Sequence, residues 1–339
     1  MSLRVDLFGT TFQNPVLLAA GTCGFGREVS DVIRLDALGG LVTKSVTLEP
    51  RRGNPAPRVT ELPSGMLNSV GLANPGVAAV RREYLPWLRE NVTEARVIVS
   101  VAGHAAEEYP RLVTELDDSE GFLGYELNLS CPNDRERDGA PFALDPRAVF
   151  EVVTLCRSVT TRPLWAKLAP NDTDLGTTVR VAGDAGADAI TLVNTLPGLD
   201  LHPESGLPVL GAGTGGMSGP ALRAVGLRAV AEARGVTDLP IIGVGGILNS
   251  DDALRYLVAG ASLIQLGTAT FARPRAAETI VRGLPAALRA AGARSPGDLV
   301  GRGTAPRPPD GSGGTSMAEG DTGSSQRPTG AVSTTGGAS

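Results

Sequence analysis

Residues 164–194 read LWAKLAPNDTDLGTTVRVAGDAGADAITLVN, and this stretch decides the fold. An apolar run at 164–168 gives way to helical spacing at 172–185, closed by Ala-Gly-Ala-Asp at 185–188, and a second apolar run follows at 189–194. Strand, helix and strand in so short a span make a parallel βα unit, because parallel strands need a crossover about as long as a helix. The alternation extends in both directions. Apolar runs recur at 16–20, 41–46, 97–101, 124–129, 241–244 and 263–266, and helices are expected at 29–38, 77–90, 105–116, 146–159, 220–234, 250–259 and 274–291. Eight such units close a (β/α)8 TIM barrel. Asp145-Pro146, Gly219-Pro220 and Ser250-Asp251-Asp252 supply the caps, prolines and acids that helix starts prefer.

Two stretches exceed a minimal barrel: 48–75 after the second strand and 196–219 after the sixth. Loops of that length are usually functional, and loops that follow barrel strands build the active-site face. They are expected to be long active-site loops. From 302 to 339 the chain turns to Gly, Ser, Thr and Pro, which bury too little surface to offset the entropy of ordering. The expected division is a barrel domain over 1–301 and a disordered tail over 302–339.

With 339 residues, 42% of them hydrophobic and 20% charged, the chain can bury one large core. A net charge of −5 with no long basic run argues against nucleic acid as a partner. Three scattered cysteines, Cys23, Cys131 and Cys156, fit a reducing compartment better than a disulfide framework. Neither a signal peptide nor a run of about 18 apolar residues occurs, so a cytoplasmic location is expected.

The strongest chemical signal is Glu126-Leu127-Asn128-Leu129-Ser130-Cys131-Pro132-Asn133, which ends the fourth strand and sets Cys131 at the catalytic face. A thiol there can act as nucleophile or base once deprotonated; the bland alternative is an inert core cysteine. That alternative suits Cys156, which shares a helix face with Val152, Val153 and Val159. Cys23 lies in a glycine-rich loop, Gly21 to Gly26, where backbone approach to a ligand is as reasonable as thiol chemistry.

Asn68, Asn128, Asn133 and Asn194 fall at strand ends or in the first long loop, and their paired donors and acceptors suit a heterocycle bearing N–H and C=O groups. Turn formation is the plainer use of one or two of them. Lys44 and Lys167 interrupt apolar strands, where neutralising a carboxylate or a reduced flavin ranks first, pairing with a buried acid second, and Schiff-base chemistry remains open. Glycines at Gly243-Val244-Gly245-Gly246 and Gly267-Thr268, after the last two strands, open backbone N–H groups onto a phosphate; tight turns are the alternative. Gly211 to Gly216 matches G-x-G-x-x-G, yet it lacks a preceding strand and a following acid, so a Rossmann nicotinamide site is rejected. Only two histidines occur, His104 and His202, neither placed for a triad.

The chain resembles the class 1B dihydroorotate dehydrogenase catalytic subunits over nearly all of residues 4–300. The resemblance rests on Asn14-Pro15, Lys44-Ser45, Gly53 to Arg58, Ser64 to Leu72, Asn74-Pro75-Gly76, Asn128 to Asn133, Asn194-Thr195, Ser218-Gly219-Pro220 and the final glycine pairs. It implies FMN across the barrel top. The phosphate would sit at Gly245, Gly246, Gly267 and Thr268, with Ala20, Lys44, Ser45, Ser100, Asn128, Lys167, Val193 and Gly219 along the rest. Dihydroorotate would stack on the flavin, its carboxylate at Lys44 and at the backbone of Asn68, Ser69, Val70, Gly71 and Leu72. Asn128, Asn133, Asn194 and Thr195 would bind its ring, and Cys131 would take the C5 proton.

Ala20 and Ser100 depart from the Ser and Asn common in the family at those places. Ala20 still offers its backbone; Ser100 keeps a hydroxyl but no amide. The resemblance further implies a partner subunit with FAD and a [2Fe–2S] cluster, in a heterotetramer of two catalytic and two electron-transfer subunits, passing electrons to NAD. Three cysteines cannot supply the four thiolates of such a cluster. The alternatives are the fumarate-using class 1A enzymes and, more remotely, a flavin-free barrel lyase or isomerase with a Schiff-base lysine.

Overall fold

The chain enters through an antiparallel hairpin of β1 (Val5–Leu7) and β2 (Thr10–Phe12). The expected apolar runs then appear as β3 (Val16–Leu18), β4 (Gly40–Val42), β7 (Arg96–Val101), β8 (Gly124–Asn128), β9 (Leu164–Lys167), β10 (Ala189–Leu192), β13 (Ile241–Val244) and β14 (Leu263–Leu266). These eight pair in parallel, each with its neighbour in chain order, and β14 returns to β3 to close the barrel. The computed structural model describes residues 2–130 and 141–304, which fall in one compact unit.

Side chains at alternate strand positions point into the barrel, and they form layers. At the base, Phe12, Leu17, Val42, Ile98, Trp165, Ala189, Ile242 and Leu263 make an apolar plug with no solvent exposure. The hairpin seals it from below, with the Phe8 ring 5.5 Å from that of Trp165. Outward-facing strand residues such as Val16, Leu18, Leu41, Val97 and Val99 pack beneath the surrounding helices.

The helices largely match the expected segments. Pro146–Arg157, Leu175–Asp184 and Ser250–Ala259 are capped by the side chains of Asp145, Asp174 and Asn249, each accepting a first-turn amide. The segment expected at 77–90 is helical but contains a π turn at Val80–Tyr84 between Val77–Ala79 and Leu85–Asn91. Pro220–Leu222 is a 3-10 turn leading into Arg223–Arg234.

The helix expected at 29–38 does not form: this stretch is turns and one 3-10 segment, Leu35–Ala37. Tertiary partners capture its backbone. Arg34 N–H donates to Glu278 Oε1 at 2.8 Å instead of continuing a helical ladder, and Asp36 accepts from the amides of Thr93, Glu94 and Ala95.

The two long segments are not simple loops either. They contribute β5 (Val59–Leu62), β6 (Gly65–Asn68), β11 (Leu196–Gly198) and β12 (Gly215–Ser218), an antiparallel sheet in the order β11-β12-β6-β5. The rejected G-x-G-x-x-G match thereby gains a structural explanation. A Cβ on Gly215 would stand 2.6 Å from the Asn68 carbonyl oxygen, so these glycines let β12 lie close against its neighbours.

Residues 302–304, assigned by sequence to the tail, still hold to the body: Gly303 N–H donates to Val258 O at 2.9 Å. The rest of the expected tail lies outside the described residues. Among the described residues, no helix is long and apolar enough to cross a membrane.

Candidate active site

Above the apolar plug, one step further along the strands, comes a polar layer. Glu126 on β8 has no solvent exposure and accepts from Lys167 Nζ on β9 at 3.1 Å, Thr191 Oγ1 on β10 at 3.1 Å and Gln265 Nε2 on β14 at 2.8 Å. Since β8 and β14 are not neighbours, the last bond crosses the lumen. For Lys167 the structure thus shows the buried ion pair that sequence reading ranked second. The lysine nonetheless also lines the cavity above.

That cavity, of about 330 Å³, opens between the C-terminal strand ends and the four-stranded sheet, which roofs it. Its size suits a small-molecule or cofactor site. Along one side runs a connected set of polar side chains. Ser100 and Ser45 share a hydrogen bond of 2.8 Å, Asn128 Nδ2 donates to Ser45 Oγ at 3.1 Å, and Ser130 Oγ donates to Asn128 Oδ1 at 3.2 Å. Asn194 Nδ2 then donates to Ser130 Oγ at 2.6 Å while its Oδ1 accepts from Thr195 N–H at 2.8 Å. Tyr109 Oη fixes the Asn128 backbone from outside the barrel at 2.9 Å.

From the roof, Asn68 Nδ2 donates to Gly216 O at 3.1 Å, tying β6 to β12, and Ser69 to Leu72 continue the lining. Asn54 Nδ2 holds Ser69 Oγ at 2.8 Å. Gly71 and Leu72 both have positive φ, +71° and +55°, so this turn presents its backbone to the cavity.

The far end lies after β13 and β14. Gly245 and Gly246 have φ of +126° and +65°, and the Gly245 carbonyl accepts from Tyr256 Oη at 2.6 Å. Among the described residues, the amides of Gly245, Gly246, Gly267 and Thr268 donate no hydrogen bond. Four unengaged N–H groups at one end of a cavity are suited to an anion. Thr268 Oγ1 and Ser218 Oγ, 2.7 Å apart, add hydroxyls there.

Of the residues singled out from sequence, the cavity is lined by Ala20, Lys44, Ser45, Asn128, Lys167, Val193, Gly219, Gly245, Gly246, Gly267 and Thr268, and by Asn68 to Leu72, Asn194 and Thr195. Ser100 is not a lining residue; it is fully buried behind Ser45. Cys131 and Asn133 lie outside the described residues; Ser130, which precedes them in sequence, belongs to the hydrogen-bonded set. Burial pushes the Cys23 thiol up to about 12, with Glu28 adding to the effect, and its Sγ contacts Val42 O at 3.4 Å. Cys156 is pushed up to about 12 by burial as well. Neither is a reactive thiol at neutral pH.

Sequence reading missed Glu126, Thr191 and Gln265. The criterion applied to Lys44 and Lys167, a polar residue interrupting an apolar strand, would have found all three. The roof residues Gly216 and Ser218 carried no such signal, because their pairing with β6 spans about 150 positions.

The dihydroorotate dehydrogenase family model matches residues 2–288. The chain is 44% identical to the catalytic subunit of dihydroorotate dehydrogenase B (NAD(+)) of Pelobacter propionicus, over 88% of this chain and 97% of that protein. It is 45% identical to the protein of the same name from Desulforudis audaxviator, over 88% and 96%. A Solibacter usitatus protein named for the fumarate-linked dihydroorotate dehydrogenase A is also 45% identical, over 88% and 97%.

Proposed function

The chain belongs to the dihydroorotate dehydrogenase family, and we propose that its cavity oxidises dihydroorotate to orotate, a step of pyrimidine synthesis, as an NAD-linked catalytic subunit. One observation carries the assignment of the site: four unengaged amides after β13 and β14 share a cavity with Lys44, Lys167 and the asparagines at the other strand ends.

The residues present fit FMN. The free amides of Gly245, Gly246, Gly267 and Thr268 suit its phosphate, while Lys167 and the unpartnered Gln265 Oε1 offer a donor and an acceptor on the cavity floor. When bound, FMN supplies the acceptor for the hydride that leaves C6 of the substrate.

The chain's own groups perform the rest. Lys44 and the backbone turn from Asn68 to Leu72 hold the substrate carboxylate, and the positive φ at Gly71 and Leu72 supports this by turning that backbone toward the cavity. Asn128, Asn133, Asn194 and Thr195 bind the ring, the first and third being oriented by Ser130 between them. Cys131 takes the C5 proton. It directly follows Ser130, and burial keeps both described cysteines too protonated to compete for the role.

Electrons then leave through a second subunit, the arrangement that the relatives' "catalytic subunit" name supports. That partner would carry FAD and a [2Fe–2S] cluster in a two-plus-two assembly, since this chain's three cysteines cannot hold one. Fumarate as acceptor is the second reading, favoured by the Solibacter relative.

Anaerobic mixing of purified yellow protein with dihydroorotate tests the proposal. Bleaching of the flavin absorption supports it; colourless protein that FMN cannot reconstitute, or a flavin that dihydroorotate leaves unreduced, refutes it. NAD reduction that appears only when the partner is added separates the NAD-linked enzyme from one that turns over with fumarate alone.

A further inference from the structure

We infer that Glu126 is a positioning residue whose carboxylate holds the Lys167 ammonium and the Gln265 amide at the cavity floor, and through them sets the reduction potential of the flavin. The inference rests on the cofactor reading above and assigns a role to a residue that lies behind the lining.

Glu126 is completely buried and is held by three donors from three strands, so its position is fixed by the barrel itself. Below it is the apolar plug of Trp165, Ile98, Ile242 and Leu263, which contains no countercharge. In such surroundings a single charge is felt strongly across the few ångströms to a ligand.

Lys167 lines the cavity and Glu126 does not. The pair is therefore a dipole with its positive end toward the ligand and a net charge of zero. The ammonium favours the negative charge that accumulates on reduction, and the carboxylate behind it limits that effect.

Gln265 is set by the same group. A carboxylate only accepts hydrogen bonds, so the amide must turn its Nε2 toward Glu126. Its Oε1 then has no partner among the described residues, although Gln265 lines the cavity. An acceptor from Gln265 beside a donor from Lys167 complements a ring edge that alternates acceptors with an N–H, as the pyrimidine portion of a flavin does.

The test is the midpoint potential of bound FMN in wild type, Glu126→Gln and Glu126→Asp, by dye equilibration at pH 6, with FMN content and Tm measured in parallel. Glu126→Gln keeps the shape and deletes the charge, and a shift to more positive potential is expected. Glu126→Asp restores the charge and should bring the value back toward wild type. Lower Tm and FMN content, with an unchanged potential in the flavin that stays bound, would mean a purely structural role and overturn the inference. Should Glu126→Gln not fold, Glu126→Gln/Lys167→Met removes both charges and is expected to be more negative than wild type; a wild-type potential there overturns the inference equally. Wild-type protein unable to bind FMN would instead bring down the cofactor reading, and this role with it.

Discussion

At Gly216 the roof lies close against Thr195, which lines the cavity. A methyl group added there would stand 2.6 Å from Thr195 Cβ and closer still to Thr195 Oγ1. Rotation about χ1 can move the hydroxyl but not Cβ. Ordinary contact begins at 3.4 Å, so β12 or Thr195 must shift by the difference between 2.6 and 3.4 Å. Overpacking of this kind costs about 1–3 kcal/mol. At roughly 2 °C per kcal/mol for a chain of this size, Gly216→Ala should lower Tm by about 2–6 °C.

The functional consequence follows from what Thr195 holds. Its amide donates to Asn194 Oδ1, and Asn194 donates to Ser130, so a displaced Thr195 disturbs the side chains assigned to the substrate ring. Misplacement approaching 1 Å costs up to about 100-fold, so kcat/KM should fall by roughly 10- to 100-fold, mainly through KM. FMN content should fall less than kcat/KM, because the amides after β13 and β14 are not touched and only Ser218, on the same strand as Gly216, reaches that end. Gly176→Ala is the control: it lies in the helix Leu175–Asp184, and its added methyl would meet Val236 Cγ1 at a comfortable 3.7 Å. It should gain about 0.5–1 kcal/mol from helix propensity and leave KM alone. Steady-state kinetics and thermal melts decide. A Gly216→Ala enzyme with wild-type Tm and KM would refute the packing argument, and one with lowered Tm but wild-type KM would detach Thr195 from substrate binding.

Cys131→Ala should retain FMN but slow its reduction by dihydroorotate by about 10²- to 10⁴-fold in stopped-flow traces, the range for loss of a general base; an unchanged rate removes the cysteine from the mechanism. Asp36 gives a pH signature. Partial burial works to raise its pKa, but hydrogen bonds from the amides of Ala95, Glu94 and Thr93 and from the Thr93 hydroxyl outweigh it and leave the carboxyl below its usual range. Its contribution is therefore present above the ordinary carboxylate pKa and lost as pH falls through the lowered value. Asp36→Ala should destabilise by about 1 kcal/mol at pH 7, discounted for solvent screening, with the gap from wild type narrowing below about pH 4; a gap that widens in acid contradicts this account.

The barrel was legible because each strand carries its own evidence. A short apolar run followed by helical spacing is a local pattern, and β3, β4, β7 to β10, β13 and β14 all stand where it put them. The failures share one physical cause, which is that distant partners override local preference. Residues 29–38 have the apolar spacing of a helix, yet Glu278, more than 240 positions away, takes the Arg34 amide. The roof exists because β6 pairs with β12, and strands of four residues rich in glycine are too short to display alternation. At the floor, the Gln265–Glu126 bond joins residues 139 positions apart. The sequence did register the anomaly: lysine, glutamate, threonine and glutamine each interrupt a strand otherwise apolar enough for a core. Read singly, each is an oddity with several uses. Burying a charge without a partner is costly, so two or more ionisable residues at inward positions of one barrel must find each other. Applied to all eight strands together, that requirement pairs Glu126 with Lys167 from sequence alone, since β8 and β9 are neighbours in chain order and both residues lie near the C-terminal ends of their strands.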